Sequence, residues 1–371
     1  MKQIRQRIDW IVLTTSLLIT AIGLLVLYSS GIKATSVSSQ IDATRQFLYA
    51  GIGLVGMWVM IRTDYRVLKS YALLAYIIML ALLIAVEFVG TTALGAQRWI
   101  NVGFFQFQPS EFAKLLFIIV LAAYYSRVYE QSRHMRYLII SAFILIIPMM
   151  IVVSQPDLGT GLVFLAIWLA MTLASQIRKR YLVIAGGIGA GLLPVAYQFL
   201  APYQKNRIQV LLNPAADKLG SGYNVTQAMI AVGSGGWFGR GLSAGSQSQL
   251  NFLPSQHTDF IFAVLAEKLG FVGSTLTIIL FLVLIGRIFL ISLYSVDRFG
   301  SFLCVGIASM ILFHVMINIG MNMGIMPVTG IPLPLISAGG TSMLTMMVTL
   351  GIVLSVSSQR ETNRRLKDVP V

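Results

Sequence analysis

Six ionisable residues stand at or just inside apolar stretches of this 371-residue chain: Arg98, Glu111, Lys114, Asp157, Arg207 and Asp259. Charge is expensive at membrane depth, so each reads first as a functional candidate. Glu111 and Lys114 lie three residues apart in Gln108-Pro109-Ser110-Glu111-Phe112-Ala113-Lys114, which puts them on one helical face within reach of each other. They could form a self-neutralising pair that pins the helix, or Lys114 could meet an anionic headgroup while Glu111 orients it. Pro109 at the helix start leaves backbone N–H groups outward, a favourable place for phosphate. Asp157, in Gln155-Pro156-Asp157-Leu158-Gly159-Thr160, suits either a helix N-cap or a partner for a cation or a basic residue. Asp259 closes the run His257-Thr258-Asp259-Phe260-Ile261-Phe262, where polar groups give way to an apolar helix. A carboxylate at that boundary is partly desolvated, which raises its pKa and makes it a better general base near neutral pH; helix capping is the plainer use. His257 is an alternative base, though a histidine two residues away more readily serves as hydrogen-bonding support.

Two segments must shape the surroundings of these groups. The run from Pro327 to Gly340 holds three prolines and three glycines at membrane depth, which implies broken or re-entrant backbone lining a cavity. Ser337, Gly339 and Gly340 could offer N–H groups there to an anion, and a rigid turn is the simpler alternative. The stretch 201–258 runs without a full span and carries Lys205, Arg207, Lys218 and Arg240 against Asp217. Its eight glycines, five aromatics and Gln247-Ser248-Gln249 suit hydrogen bonding and stacking against a polar ligand such as a sugar. Val225 to Val232 reads as a short interfacial helix.

The elements that carry these residues follow from composition. The chain is 57% hydrophobic and 11% charged, with a mean hydropathy of +0.81, more apolar surface than one soluble core could hide. An all-α polytopic membrane protein is expected. Ten spans are read, at about Trp10 to Ser29, Phe47 to Ile61, Tyr71 to Val86, Pro109 to Tyr125, Tyr137 to Val153, Leu158 to Ser175, Tyr181 to Leu200, Phe271 to Leu293, Phe299 to Ile319 and Thr341 to Val356. Residues 1–371 read as one transmembrane domain, with the long loop 201–258 between the seventh and eighth spans. Of the 27 Lys and Arg, 18 fall on the side of the termini and seven on the other, with Lys114 and Lys268 inside. The positive-inside rule therefore makes both termini cytoplasmic and turns the long loop outward. The first span reads as a retained anchor, not a cleaved signal. Most of the formal charge of +14 is spent on orientation, and the outer remainder suits a lipid-borne anion, not nucleic acid. Cys304, alone in apolar surroundings, reads as an inert packing thiol.

Six ordered motifs resemble the SEDS family (shape, elongation, division and sporulation). They are Gly95-Ala96-Gln97-Arg98-Trp99, Phe107 to Lys114, Gln155 to Thr160, Gln247 to Pro254, His257 to Ala263 and Pro332 to Ser337. The resemblance extends from the first span to the last, and Gln247-Ser248-Gln249-Leu250-Asn251-Phe252-Leu253-Pro254 with the short N-terminus favours the elongation branch over the division branch. It implies a peptidoglycan glycosyltransferase of the bacterial inner membrane that polymerises lipid II, with the active site at the outer face. The implied partners are a class B penicillin-binding protein, a transpeptidase, and the elongation machinery. It also implies that Asp259 is the essential acid, and that the family's membrane Glu/Lys pair and Gln-Pro-Asp acid fall at Glu111, Lys114 and Asp157. Two departures stand out: Lys268, where relatives often carry a second acid, and Ala338, where they often carry an aromatic.

Glycosyl transfer from a lipid-anchored diphosphate needs a base for the acceptor hydroxyl and positive charge for the departing diphosphate. Asp259 fits the first need; Arg98, Lys114 and Arg207 fit the second, with a divalent cation such as Mg or Mn as a further expectation and no organic cofactor. A lipid II flippase, or a non-catalytic scaffold for the transpeptidase, would use the same surfaces without transfer.

Overall fold

The computed structural model describes residues 8–31, 37–93, 96–102, 105–199, 201–213, 217, 220–242 and 255–367. Each of the ten segments read as a span overlaps one helix, with ends that agree to a residue where the span overruns it: α1 (Trp10–Gly31), α2 (Val37–Arg62), α4 (Ala72–Val89), α5 (Pro109–Val128), α6 (Met135–Ser154), α7 (Leu158–Ala174), α8 (Lys179–Phe199), α11 (Ile261–Leu293), α12 (Arg298–Asn322) and α13 (Gly340–Lys367). A single turn, α3 (Val67–Ser70), and two helices in the stretch 201–258, α9 (Pro202–Leu212) and α10 (Ser221–Ser234), are the other α-helices among the described residues. Helix α10 contains the interfacial stretch expected at Val225 to Val232. Among the described residues seven helices are long and apolar enough to cross a membrane, and α7 is a shorter apolar helix.

The bundle is organised around α5 and α12. Ala113 to Ala123 on α5 are buried without interruption, and α12 packs against α5, α7 and α11. The peripheral helices bury one side only: Leu73 and Phe88 on α4, Phe143 and Met150 on α6 are largely exposed. A helix apolar all round whose outer face meets no protein is a membrane-facing helix. The protein is therefore a polytopic membrane protein.

Two features depart from regular helix. The segment between α4 and α5 folds as a three-stranded antiparallel sheet, β1 (Thr91–Ala93), β2 (Ala96–Val102) and β3 (Phe105–Phe107), with Thr91 opposite Trp99 and Ile100 opposite Phe107. No strand is expected here from the sequence: two of the three strands are only three residues long, too short for a period-2 pattern to stand out. The second departure is a break in α11 at Gly270, whose φ of 68° and ψ of −165° leave the helical region and suit a residue without Cβ. The backbone groups freed by the break pair with the glycine-rich stretch after α10. The N–H groups of Arg240 and Gly241 donate to Glu267 O (2.9 Å) and Lys268 O (3.2 Å), and those of Phe271 and Val272 donate to Gly236 O (2.8 Å) and Trp237 O (3.1 Å). Irregular backbone at this depth persists because protein satisfies it. Lys268 itself is buried, and its ammonium donates to Ser29 Oγ and Ser30 Oγ on α1, each at 2.8 Å.

Candidate active site

A cavity of about 260 Å³ opens where β2, the first turns of α5 and α7, α9 and the segments 255–260 and 327–342 converge. Six of the predicted residues line it: Arg98, Glu111, Lys114, Asp157, Arg207 and Asp259. Its polar lining is what distinguishes it from the apolar grooves elsewhere on the bundle.

Helix α5 begins at Pro109, whose missing N–H costs nothing in a first turn, and it presents Glu111 in that first turn and Lys114 in the next. Their side chains form a buried ion pair, Nζ to Oε1 2.7 Å. The i, i+3 expectation is thus realised as a contact, and a third group joins it from α12: His314 Nε2 lies 2.9 Å from Lys114 Nζ.

Asp157 caps α7, its Oδ1 accepting from Thr160 N (3.1 Å) and its Oδ2 from Thr160 Oγ1 (2.9 Å). It also faces Arg98, with Nη1 to Oδ1 3.8 Å. Both uses read from its motif therefore coexist. Arg98 is fastened to the turn before α7, donating from Nε to Gln155 O (3.1 Å) and from Nη2 to Pro156 O. Arg207, on α9, donates to Thr329 O (3.4 Å) and stacks over Tyr203, 5.7 Å from the ring centroid.

Asp259 differs from Asp157 in how it is held. It precedes α11 by two residues, and the helix has no side-chain cap bond, so its carboxylate is not consumed as a cap. What is fixed is its backbone: Asp259 O accepts from Asn318 Nδ2 and Asn322 Nδ2, each at 3.0 Å. The same asparagines tie in the neighbouring segments, Asn318 Nδ2 to Ile331 O (2.8 Å) and Ala263 N to Asn322 Oδ1 (3.1 Å). Burial pushes the Asp259 carboxyl above the ordinary aspartate range, against the Thr258 hydroxyl and the Arg207 and Arg98 guanidiniums that pull it down. Gly330, at φ 76°, lies directly against it: a Cβ there would sit 3.6 Å from Asp259 Oδ2.

His257 and Ser337 are not among the lining residues. Ser337 Oγ donates to Thr258 O (2.6 Å) and accepts from Leu333 N (2.8 Å), while Ala338 N donates to His257 O (2.8 Å). The two join the Asp259 segment to the 327–340 segment from behind. Two of the three N–H groups considered for anion binding are likewise engaged, Ser337 N with Leu333 O (3.0 Å) and Gly339 N with Gln46 Oε1 (3.0 Å). Ala338 does line the cavity, so the small residue there adds room. Lys268 does not line it. The motif Gln247 to Pro254, Gly95, Lys33 and Lys218 lie outside the described residues.

Among the described residues no group of three or more His, Cys, Asp or Glu is placed to hold a metal. Glu111 is paired with Lys114 and Asp157 caps α7, so Asp259 would be the carboxylate offered to an incoming cation. That donor set fits an ion bringing its own phosphate ligands, since Mg²⁺ is commonly held by one or two carboxylates plus substrate phosphate and water.

Sequence reasoning missed His314, Asn318 and Asn322. All three are polar groups in an otherwise apolar span, and the asparagines are spaced i, i+4, so the signal was present.

The family model for a cell cycle protein, covering FtsW, RodA and SpoVE, matches residues 9–362. Stage V sporulation protein E of Bacillus subtilis (strain 168) is 40% identical over 357 residues, 94% of this chain and 96% of that protein. Peptidoglycan glycosyltransferase MrdB of Escherichia coli (strain K12) is 40% identical over 312 residues, 84% of each. A chain of a peptidoglycan synthase complex, solved to describe the structural coordination of polymerization and crosslinking, is similar with a TM-score of 0.81 at 29% identity, over 95% of this chain and 98% of that one. With a family match over nearly its whole length and relatives at this identity, the chain belongs to the FtsW/RodA/SpoVE family of cell cycle proteins, as its ordered motifs had implied.

Proposed function

We propose that the protein is a peptidoglycan glycosyltransferase that polymerises lipid II into glycan strands during cell elongation, with Asp259 as general base. The observation that carries this reading is the Asp259 carboxylate sharing one cavity with Arg98, Lys114 and Arg207. The acceptor sugar hydroxyl attacks the anomeric carbon of the donor; its proton passes to Asp259 as the new glycosidic C–O bond forms. The bond between that carbon and the diphosphate oxygen breaks, and its electron pair leaves with undecaprenyl diphosphate. Arg98, Lys114 and Arg207, which line the same cavity, would compensate the departing charge, with Lys114 paired to Glu111 and Arg98 facing Asp157. Mg²⁺ or Mn²⁺ carried in on the diphosphate would neutralise part of that charge beside Asp259.

Both termini are taken as cytoplasmic and the cavity as opening at the outer face of the bacterial inner membrane, on the charge distribution of the chain. A class B penicillin-binding protein is the proposed partner, within the elongation machinery, supported by the likeness to a chain of a synthase complex that couples polymerization to crosslinking. The deciding experiment is polymerisation of purified lipid II by the full chain with its transpeptidase, with and without chelator. Wild type is expected to make polymer and Asp259→Asn none. Wild-type polymer from Asp259→Asn would remove the base assignment, and headgroup translocation in proteoliposomes without polymer would replace the enzyme by a transporter.

A further inference from the structure

The cavity has a cation whose second anchor the mechanism above does not use. Lys114 is 2% exposed yet lines the cavity, on a flexible stem that ordinarily lets its ammonium swing. An ammonium has three donors and no acceptor. One is given to Glu111 Oε1 at 2.7 Å and a second to His314 Nε2 at 2.9 Å, across two hundred residues of sequence.

His314 is suited to receive it. Its ring is 2% exposed on α12, and Nδ1 lies 2.8 Å from Met310 O, one turn earlier on the same helix. A carbonyl oxygen only accepts, so Nδ1 carries the proton and Nε2 presents its lone pair to Lys114. The imidazole thus takes a neutral, single-tautomer form set by its own helix. Glu111 alone would leave the ammonium free to turn about one contact. Two fixed directions from a tetrahedral nitrogen fix the third.

We propose that His314 is a positioning residue: together with Glu111 it orients Lys114 so that the remaining N–H faces the cavity and takes the diphosphate of the lipid substrate. This rests on the glycosyl-transfer reading and deepens it. Among the described residues no other protein group meets that third N–H.

The test uses the full chain in nanodiscs, with undecaprenyl diphosphate binding measured beside lipid II polymerisation. His314→Leu is expected to weaken undecaprenyl diphosphate binding and to lower kcat/KM, each by roughly 10- to 100-fold, the scale of losing one bond to a charged group. His314→Gln, whose amide oxygen can accept from Lys114, is expected to restore both to within about threefold of wild type by the same reasoning. In a Lys114→Ala background, His314→Leu should weaken binding no further. A loss of folded protein lowers the active fraction but not the Kd of what remains, so the binding series separates positioning from stability. Wild-type binding by His314→Leu, or equal losses from His314→Gln and His314→Leu, would overturn the proposal. So would a further loss on Lys114→Ala. Should wild type bind undecaprenyl diphosphate but make no polymer, the glycosyl-transfer reading fails, and the binding series still decides the role of His314.

Discussion

Helix α11 has an aspartate just beyond each end, and the two are used in opposite ways. After its C-terminal end, Asp297 caps α12: Oδ1 accepts from Gly300 N (2.8 Å), and Oδ2 accepts from the Tyr65 hydroxyl (2.7 Å) and Arg66 Nε (3.0 Å). Before its N-terminal end, Asp259 is held by its carbonyl oxygen, and its carboxylate faces a cavity. Burial would push the Asp297 carboxyl up, but Gly300 N–H, Tyr65 and Arg66 together hold it below the ordinary range. Burial wins at Asp259 and holds its carboxyl above that range. A carboxylate whose oxygens are saturated stabilises the fold; one fixed through its backbone keeps its oxygens for a proton.

That contrast can be broken by experiment. The largest effect is expected from exchanging each acid for its amide. Asp259→Asn should lower polymerisation by at least about 100-fold, the usual scale of a general base, while Asp297→Asn leaves the rate per folded molecule unchanged. Thermal midpoints in detergent should reverse the order: Asp297→Asn loses about 1–3 kcal/mol of stability, the worth of bonds to a charged group, and Asp259→Asn loses none.

The pH dependence should separate the two acids by sign. At Asp259 the folded state binds the proton more tightly than the unfolded one, so ionisation disfavours the fold as pH rises from the unfolded value through the raised one. The acid limb of the rate profile should accordingly lie above that of an ordinary aspartate. Asp297 is the reverse: its stabilisation is present above the unfolded value and is lost as pH falls through the depressed one. Rate profiles of wild type and melting curves of wild type and Asp297→Asn, taken over the same range, check both signs.

Gly330→Ala sharpens the comparison without touching charge. A side chain at φ 76° costs about 1–2 kcal/mol, and the new Cβ meets Asp259 Oδ2 in ordinary contact at 3.6 Å. That strain should appear as a lowered thermal midpoint, with the rate per folded molecule falling far less than in Asp259→Asn and undecaprenyl diphosphate binding retained. The smallest effect is expected at Arg66→Ala. That side chain is 46% exposed, and its pair with Asp297 is worth about 0–1 kcal/mol; a larger drop in thermal midpoint would mean the cap at Asp297 depends on it.

Much of this was legible along the chain. The spans are long apolar runs, and Glu111 with Lys114, or Asp157 with Thr160, are local pairs whose spacing declares the contact. Partnerships between distant elements were not. Lys114 with His314, Asp259 with Asn318 and Asn322, and Gln46 with Gly339 join residues far apart in sequence, and nothing in a residue's type names its partner on another helix. The three strands at 91–107 escaped for another reason: their hydrogen bonds run between neighbouring short segments and leave no periodic trace.

Composition and spacing by themselves determined that this chain must reside in a membrane and that a few charges were too costly to be incidental. These follow from transfer free energies and helix periodicity, which act on each residue locally. Only the tertiary structure decided which of those charges remain available for chemistry. All six charges line one cavity, but Asp157 is engaged by its own helix and by Arg98, Lys114 by Glu111 and His314, while Asp259 is held through its backbone carbonyl. Whether a buried polar group is satisfied or left for a substrate depends on what the other elements bring to it, and that is settled when the helices pack.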